Sequence, residues 1–269
     1  MTGTTRPIRR HQIVDGHARA TELVDAIAEE WPVAICFNAM PHAVMLATPH
    51  DLPAFALGFA LSEGLLKGPA ECLGIEVTQG ADACRIDVRI EEAAWLRLKL
   101  KKQRRTLAGA SGCGLCGVES LDMLDLNLPK LTPRVALDAI STDTVLRAVA
   151  ALPAHQALNS LNGATHAAAW VSLEGEILQV GEDVGRHNAL DKLIGHCARG
   201  GFESGFVLMS SRASFELVSK CVRLGIGMLV AISAPTTLAI DMAQRCGLRL
   251  MGWARHNQLA EYTSVGAAR

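Results

Sequence analysis

The spacing of hydrophobic residues in the first part of the chain predicts two β-hairpins with a helix between them. "VAICFNAMPHAVMLATP" has two apolar runs around residues 38–42, and "GIEVTQGADACRIDVRI" alternates apolar and polar residues around a turn that contains glycine, as hairpins do. Between them, "DLPAFALGFALSEGLL" begins with Asp51 and Pro53 and has apolar residues at helical spacing up to Lys67, which predicts a packed helix. Together these elements indicate a small α+β domain.

From Ser141 onward, the pattern changes to alternating helices and strands. "STDTVLRAVAALPAHQALN" predicts a helix after cap-type residues, and "THAAAWVSLEGEILQVGED" predicts two strands joined across Glu174 and Gly175. The apolar strands that follow are "GFVLMSS", "MLVAISA" and "LRLMGWAR", and the amphipathic helices are "HNALDKLIGHCARGG", "ASFELVSKCVRLG" and "TTLAIDMAQRCG". Continuous apolar strands between such helices predict a mostly parallel sheet covered on both faces, an α/β domain.

These patterns divide the 269 residues into four segments. We expect a flexible N-terminal segment over 1–30, the small α+β domain over 31–112, a linker with a cysteine loop over 113–140, and the α/β domain over 141–269.

Composition and charge exclude several classes of protein. The chain is 49% hydrophobic and 20% charged, with a net charge of −1, so no general excess of basic residues predicts a nucleic-acid-binding protein. The basic N-terminus has no apolar stretch behind it, and no uncharged run is long enough to span a bilayer. We therefore expect a cytoplasmic protein that binds neither nucleic acid nor a membrane.

Two of the eight cysteines form a local pair. Six stand singly in apolar surroundings and are best explained as buried reduced thiols; they are Cys36, Cys72, Cys84, Cys197, Cys221 and Cys246. Cys113 and Cys116 instead lie in the glycine-rich "LAGASGCGLCGVES". Glycines leave backbone N–H groups free to point at sulfur, which favours a reactive thiolate.

A basic run precedes the cysteine pair and allows two interpretations. It consists of Lys99, Lys101, Lys102, Arg104 and Arg105. Such a run is often only a solvated face. Alternatively, it provides a positive field that attracts an anionic substrate and favours the thiolate form of the cysteines.

Four kinds of chemistry use a C-x-x-C pair. A zinc site needs two further ligands, and no second closely spaced pair exists. A thioredoxin-like redox pair normally follows a strand at a helix start, whereas the residues before Cys113 are cationic and glycine-rich. A zinc deaminase requires an H-x-E element ahead of P-C-x-x-C, but His166 is followed by two alanines. Sulfur transfer fits best, because a carrier thiol must reach two partners and glycine provides that mobility.

Six segments in a fixed order resemble the formate dehydrogenase accessory sulfurtransferase family, FdhD. They are "RRTLAGASGCGLCGVE", "THAAAW", "EDVGRHNALDKLIG", "SSRASFELV", "AISAPTTLAI" and "GWARHNQLAEYT". The resemblance extends from about residue 30 almost to the C-terminus. It implies a sulfur carrier that accepts persulfide sulfur from a cysteine desulfurase and transfers it to the molybdenum bis(molybdopterin guanine dinucleotide) cofactor before that cofactor enters formate dehydrogenase.

The resemblance also implies a fold and site residues. Cys113 matches the family cysteine that holds the persulfide, and Cys116 matches an assisting or resolving thiol. The C-terminal part of the family fold is similar to cytidine deaminase without its zinc site, the proteins form homodimers, and they have no tightly bound metal of their own. The family's cofactor-binding segment matches Trp253, Ala254, Arg255, His256, Asn257 and Gln258.

Further residues fit an anionic, nucleotide-containing ligand. Arg255 offers a guanidinium to phosphate and Trp253 a surface on which a base can stack. "EDVGRHNALDK" is either a plain strand-to-helix turn or an anion site formed by Arg186, His187 and a helix N-terminus. Arg212 in "SSRAS" could bind another phosphate.

Three expectations remain beside the sulfur-carrier interpretation. His166 is better explained as a hydrogen-bonded core histidine than as a catalyst. The alternative function is a non-catalytic chaperone that binds the cofactor for formate dehydrogenase. A zinc-stabilised binding module ranks third.

Overall fold

The structure, a computed structural model, describes residues 3–106, 128–133, 135–202 and 204–264, with the backbone alone for Gly3 and residues 101–106. Cys113, Cys116 and most of the predicted 113–140 linker therefore lie outside the described residues.

The first thirty residues contain a long hairpin rather than the flexible segment predicted from the sequence. Strand β1 (Gly3–Val14) pairs antiparallel with β2 (His17–Ala28). Asp15 and Gly16 connect them with φ angles of 52° and 78°, as a type I′ turn requires. The Asp-Gly pair is a strong hairpin signal, but arginines and Pro7 interrupt the alternation of apolar residues along β1.

The predicted α+β elements of the first domain are confirmed. Four strands form a sheet in the order β4-β3-β6-β5, with β3 (Trp31–Phe37), β4 (Met40–Ala47), β5 (Cys72–Gln79) and β6 (Cys84–Ile90). Helix α1 (Leu52–Ser62) and a 3-10 turn (Pro69–Glu71) lie between the two hairpins. The basic run, which had no predicted secondary structure, belongs to helix α2 (Glu92–Thr106).

The second half contains the predicted strands and helices together with a strand and a short helix that were not predicted. The helices are α3 (Val135–Asp138), α4 (Thr142–Ala151), α5 (Ala157–Asn162), α6 (Arg186–Cys197), α7 (Phe215–Arg223) and α8 (Thr237–Cys246), with a 3-10 turn at Leu152–His155. The strands are β7 (His166–Val171), β8 (Ile177–Asp183), β9 (Phe206–Met209), β10 (Met228–Ala231), β11 (Arg249–Arg255) and β12 (Gln258–Thr263). Strand β12 and helix α3 were not predicted, and the 3-10 turn interrupts the single helix predicted over 141–159.

The six-stranded sheet is mixed, whereas the sequence predicted a mostly parallel one. Its order is β12-β11-β10-β9-β7-β8. Only β9, β10 and β11 pair in parallel, while β7 is antiparallel to both neighbours and β12 is antiparallel to β11. Alternate residues of β7 face opposite layers, because Ala167 and Val171 pack towards α3 and α4, and Ala168 and Trp170 pack towards α6, α7 and α8.

Helix α1 lies between the four-stranded sheet and helix α6. Its residues from Phe55 to Ser62 are all buried, as expected for a helix that is apolar on every side. A Cβ atom at Gly58 would overlap the carbonyl oxygen of Asp191, and one at Gly195 would overlap the carbonyl oxygen of Ala54. This close approach joins both halves of the chain in one hydrophobic core. The likeness of the C-terminal part to cytidine deaminase stays a prediction.

Candidate functional site

Four strands of the six-stranded sheet end at the same edge. Strands β9, β10 and β11 are parallel, and β8 runs in the same direction because β8 and β9 are both antiparallel to β7. We call this edge, with the loops that follow the four strands and with His166 at the start of β7, the carboxyl edge. Ligands of α/β proteins commonly bind at such an edge.

Backbone hydrogen bonds connect the loops of the carboxyl edge in series. The N–H of Trp253 donates to the carbonyl of Ser233 over 3.3 Å, and the N–H of Ser233 donates to the carbonyl of Ser211 over 3.3 Å. The N–H of Ser210 donates to the carbonyl of Ala167 on β7 over 2.9 Å. The segment that begins at Trp253 and the "SSRAS" loop, far apart in sequence, therefore belong to one continuous surface.

Three helices begin at the carboxyl edge, and their N-termini favour negative charge. The N-cap residues Gly185 of α6 and Ser214 of α7 provide no side-chain cap, whereas Thr236 of α8 accepts from the N–H of Ala239 over 3.4 Å. Uncapped N–H groups and the helix dipole together attract anions such as phosphate.

A contact between a histidine of α6 and a glutamate of α7 lies at this edge. The Nε2 atom of His187 is 2.8 Å from Oε2 of Glu216, and both side chains are partly buried. The Oγ atom of Ser214 is 3.5 Å from the same His187 nitrogen and 3.4 Å from Glu216. The hydrogen bond from His187 outweighs burial and lowers the pKa of Glu216. His187 is therefore held in one orientation at the edge.

Burial and neighbouring charges act on the half-buried His166. Burial lowers the pKa of its imidazole, and the charges of Arg186 and His187 lower it further, so His166 is neutral near pH 7. The Nε atom of Arg186 is enclosed and has no hydrogen-bond partner in the described part of the chain. Arg212 is exposed on the loop that follows β9. Arginine is well suited to phosphate.

A buried network fixes the start of α6. The Oδ1 atom of Asp183 accepts from the N–H of Gly185 over 2.8 Å and from Nδ2 of Asn188 over 3.0 Å. Its Oδ2 atom accepts from the N–H of Thr48 over 2.9 Å and lies 2.7 Å from Nζ of Lys192. The strand-to-helix turn predicted for "EDVGRHNALDK" is thereby confirmed, and the first domain supports the site directly.

Space, and not backbone conformation, is the reason for glycine at position 185 of this turn. Its φ angle is −98°, which any residue adopts, so backbone conformation does not require glycine. A Cβ atom at this position would instead lie 2.9 Å from Nδ2 of Asn188. Glycine leaves room for the asparagine side chain.

Trp253–Gln258 forms a hairpin tip between β11 and β12, and β12 was not predicted from the sequence. His256 and Asn257 connect β11 and β12 with φ angles of 51° and 60°. Trp253 has a φ of 54° at an irregularity in the pairing, and its side chain is 40% exposed. The Cζ atom of Arg255 lies 4.4 Å from the centroid of the Trp253 ring, a cation–π contact.

Ala254 differs from the other residues of the hairpin tip. Its side chain is completely buried and packs in the core with Leu208 and Met251, so only its backbone faces the carboxyl edge. The structure thus brings the predicted residues Arg186, His187, Arg212 and the hairpin tip to one edge. Sequence analysis assigned no role to Ser214, the last residue of "SSRAS", or to Glu216, although both lie in the first turn of the helix predicted there.

The six cysteines in the described ranges are free thiols in apolar surroundings, as predicted. Cys36, Cys84, Cys221 and Cys246 are buried, and Cys72 and Cys197 are partly buried. Burial raises the pKa of Cys197 to about 11 and that of Cys221 to about 12. Burial likewise raises the pKa of Cys72, Cys84 and Cys246. A raised pKa keeps these thiols protonated and poorly nucleophilic at neutral pH.

The described residues include neither a metal site nor a membrane-spanning helix. They contain no group of three or more His, Cys, Asp or Glu residues arranged to hold a metal ion. None of their helices has the length and apolarity needed to cross a bilayer.

Comparison with known proteins identifies relatives along nearly the whole chain. The model of the FdhD/NarQ family matches residues 28–268. "Sulfur carrier protein FdhD" of Chromobacterium violaceum is 48% identical over 266 residues, which cover 97% of this chain and 95% of the relative. The protein of the same name from Burkholderia cenocepacia is 47% identical over 245 residues, covering 90% and 88%.

A solved structure has the same fold. The crystal structure of a protein described as a formate dehydrogenase accessory protein from Desulfotalea psychrophila has a TM-score of 0.71 with this structure and 20% sequence identity, and the match covers 98% of each chain.

The fold and the site together define a mixed α+β protein with an anion-attracting edge. The sequence comparison is more specific, because the family model matches well over half of the chain and the relatives are nearly half identical. The chain belongs to the FdhD/NarQ family.

Proposed function

We propose that this protein is a sulfur carrier, a sulfurtransferase that serves formate dehydrogenase through a persulfide on Cys113. The observation that supports this most directly is the name "Sulfur carrier protein FdhD" shared by relatives that are 46% to 48% identical to this chain. A cysteine desulfurase is the proposed donor. The molybdenum bis(molybdopterin guanine dinucleotide) cofactor is the proposed acceptor, and the protein binds it as a substrate.

The first chemical step is an exchange that needs no added oxidant or reductant. The Cys113 thiolate attacks the outer sulfur of the donor's Cys–S–SH group, and a new S–S bond forms as the donor's S–S bond breaks. The donor cysteine leaves as a thiolate with the bonding electron pair, and the proton stays on the transferred sulfur. Cys116 assists as a second thiol.

The described cysteines support the choice of Cys113 and Cys116. Each of the other six is enclosed to some degree, and the pKa of five of them is raised by burial. A carrier thiol must instead ionise near pH 7 and meet two macromolecules. The glycine-rich sequence around Cys113 suits that requirement better than any other cysteine position.

The carboxyl edge is the proposed binding surface for the guanine dinucleotide parts of the cofactor. Arg186, Arg212 and Arg255 offer guanidinium groups to the pyrophosphates, and the N-termini of α6, α7 and α8 add favourable dipoles. Trp253 offers an exposed ring for a guanine base. The cofactor contact with Ala254 would be through its backbone. A homodimer in the cytoplasm is the assembly that we expect.

The test is to load the protein with sulfur and to measure its intact mass. After incubation with a cysteine desulfurase and cysteine, intact-mass spectrometry should show an adduct of one sulfur atom that is absent in Cys113→Ala and retained in the control Cys72→Ala. The same variants are then tested for formate dehydrogenase maturation. Normal formate dehydrogenase maturation with Cys113→Ala would support the non-catalytic chaperone and contradict the sulfur carrier. Bound zinc in the purified protein would support a zinc-stabilised binding module.

Binding at the carboxyl edge has its own test. GDP should bind to the wild-type protein in calorimetry, and Arg255→Ala should weaken that binding by about tenfold, because one charge-assisted phosphate contact contributes about 1.4 kcal/mol. The control is Arg147→Ala, which removes an exposed arginine on α4, more than one hundred residues before Arg255 in the sequence. Equal affinity of wild type and both variants for GDP would show that the hairpin tip is not part of the cofactor site.

A further inference from the structure

The outward side of α2 exposes two leucines and a lysine. Leu96 is 53% exposed and Leu100 is 61% exposed, while Ala94 and Leu98 on the opposite side are buried. Leu96 and Leu100 are neighbours on the helix surface because they are four residues apart. Lys99 lies beside them, with its Nζ atom 4.8 Å from the centroid of the Trp95 ring. We call Leu96, Lys99 and Leu100 the α2 face.

The α2 face belongs to the most basic of the helices that the structure describes. Glu92–Thr106 contains six basic residues and one acidic residue. Only Arg97 among the basic residues with described side chains is paired, at 2.6 Å from Glu71. Single exposed leucines are ordinary, but two adjacent leucines on a basic helix form a small apolar patch of the kind found in protein contact surfaces.

The α2 face is close along the chain to the proposed carrier cysteine. Helix α2 ends at Thr106, seven residues before Cys113, and seven extended residues span at most about 25 Å. A protein that delivers sulfur to Cys113 must therefore approach to within that distance of the end of α2.

We propose that the α2 face is the docking surface for the protein that donates sulfur, and that the donor presents an acidic surface with an apolar centre. This inference rests on the proposed function. The leucines contribute apolar contact area, and the basic residues attract acidic side chains and raise the rate of encounter.

Two other occupants fit the α2 face less well. A second copy of this chain, bound around a two-fold axis through the same face, would bring two strongly basic helices together, and their charges would repel. The anionic guanine dinucleotide parts of the cofactor gain little from contact with two leucines. The carboxyl edge provides arginines and helix N-termini, which suit their pyrophosphates better. Charge complementarity therefore favours an acidic protein.

The experiment compares a protein donor with a small one. Sulfur loading is followed by intact mass, first with cysteine desulfurase and cysteine and then with inorganic polysulfide. Leu96→Gln/Leu100→Gln should slow loading from the desulfurase about tenfold, as loss of a binding centre does, and leave loading from polysulfide unchanged. Lys99→Glu should slow the protein reaction and weaken its dependence on salt. Leu161→Gln on α5, also 53% exposed, is the matched control.

Each result has a distinct meaning. Glutamine is a good helix former, and unchanged circular dichroism would show that the variants fold. Equal loading of wild-type protein and folded variants by the desulfurase would overturn the proposal. A change of oligomeric state in light scattering would also overturn it and assign the α2 face to self-association. If the wild-type protein accepts sulfur from neither donor, the proposed function itself fails, and the docking proposal fails with it.

Discussion

At the scale of single residues, Lys192 connects the first domain to the candidate site. Its Nζ atom is 2.7 Å from Asp183 and donates to the carbonyls of Thr48 and Glu182 over 3.0 Å each. Both side chains of the ion pair are completely buried. Burial lowers the pKa of Lys192, although Asp183 partly offsets this effect. Desolvation therefore disfavours the charged pair, and the hydrogen bonds of Lys192 and Asp183 offset this cost.

Lys192→Met should lower the free energy of unfolding by about 3–5 kcal/mol, because it leaves the Asp183 carboxylate buried without its counter-charge. Urea denaturation measures this change. Lys67→Met, at an exposed lysine, should change stability by less than about 0.5 kcal/mol. Asp183→Asn/Lys192→Met removes both charges and should recover part of the loss; a further loss in the double variant would contradict this account.

Glu216 should stabilise the protein in a pH-dependent way. The hydrogen bond from His187 lowers its pKa in the folded state. A lowered carboxyl pKa contributes stability that is complete above the unfolded pKa of about 4.3 and is lost as the pH falls through the folded value. Glu216→Gln should therefore be less stable than wild type at pH 7, by less than about 1 kcal/mol.

The measurement is a set of urea midpoints between neutral and acidic pH. The difference between wild type and Glu216→Gln should shrink as the pH falls below the unfolded pKa of the carboxyl group. Glu174→Gln, at an exposed residue, should show no such trend. A difference that stays constant with pH would mean that the carboxylate charge is not what matters at this position.

At the scale of secondary structure, local patterns predicted most elements because each pattern is complete within one short segment. Three hairpins have two-residue connections in which both residues have positive φ: Asp15–Gly16, Asn38–Ala39 and His256–Asn257. Only the second has apolar strands on both sides, and only that one was predicted. For the other two, arginines and Pro7 interrupt the apolar alternation of β1, and β12 is only six residues long and contains Glu261. Pairing across the turn stabilises these strands.

The sequence could not predict how the elements come together at the site. The arrangement of Arg186, His187, Arg212 and Trp253 depends on strand order, and β7 runs opposite to its neighbours. The residue types alone indicated an anion-binding role. Their position at one edge of the sheet could be recognised only from the fold. Glu216 was missed because its partner His187 is on another helix.

The contact between α1 and α6 makes a specific prediction for glycine. Gly58→Ala should lower the free energy of unfolding by about 3 kcal/mol, because the added methyl group overlaps the backbone of Asp191. Gly68→Ala is the matched control: its φ of −168° suits any residue and nothing lies within 4 Å of a Cβ there. Thermal denaturation distinguishes the two. If both variants have the melting temperature of wild type, the helices are not in close contact.

At the scale of the whole molecule, the two predicted domains should unfold as one. A single hydrophobic cluster includes Val33 and Ile86 of the four-stranded sheet as well as Val207 and Leu229 of the six-stranded sheet, and α1 joins them through α6. Separating the sheets would expose this shared core and leave the Asp183–Lys192 pair without Thr48. Cooperative unfolding is the expected consequence.

Hydrogen exchange in a urea titration, followed by mass spectrometry, tests this without any substitution. Peptides from β3 and β9 should lose protection at the same urea concentration, because the core that protects one strand also protects the other. Peptides from β1 and β2, whose residues are mostly exposed, should lose protection earlier and serve as the internal control. Separate midpoints for β3 and β9 would instead show that residues 31–112 and 141–269 are independent domains, and the support that Thr48 gives to α6 would then be dispensable for the carboxyl edge.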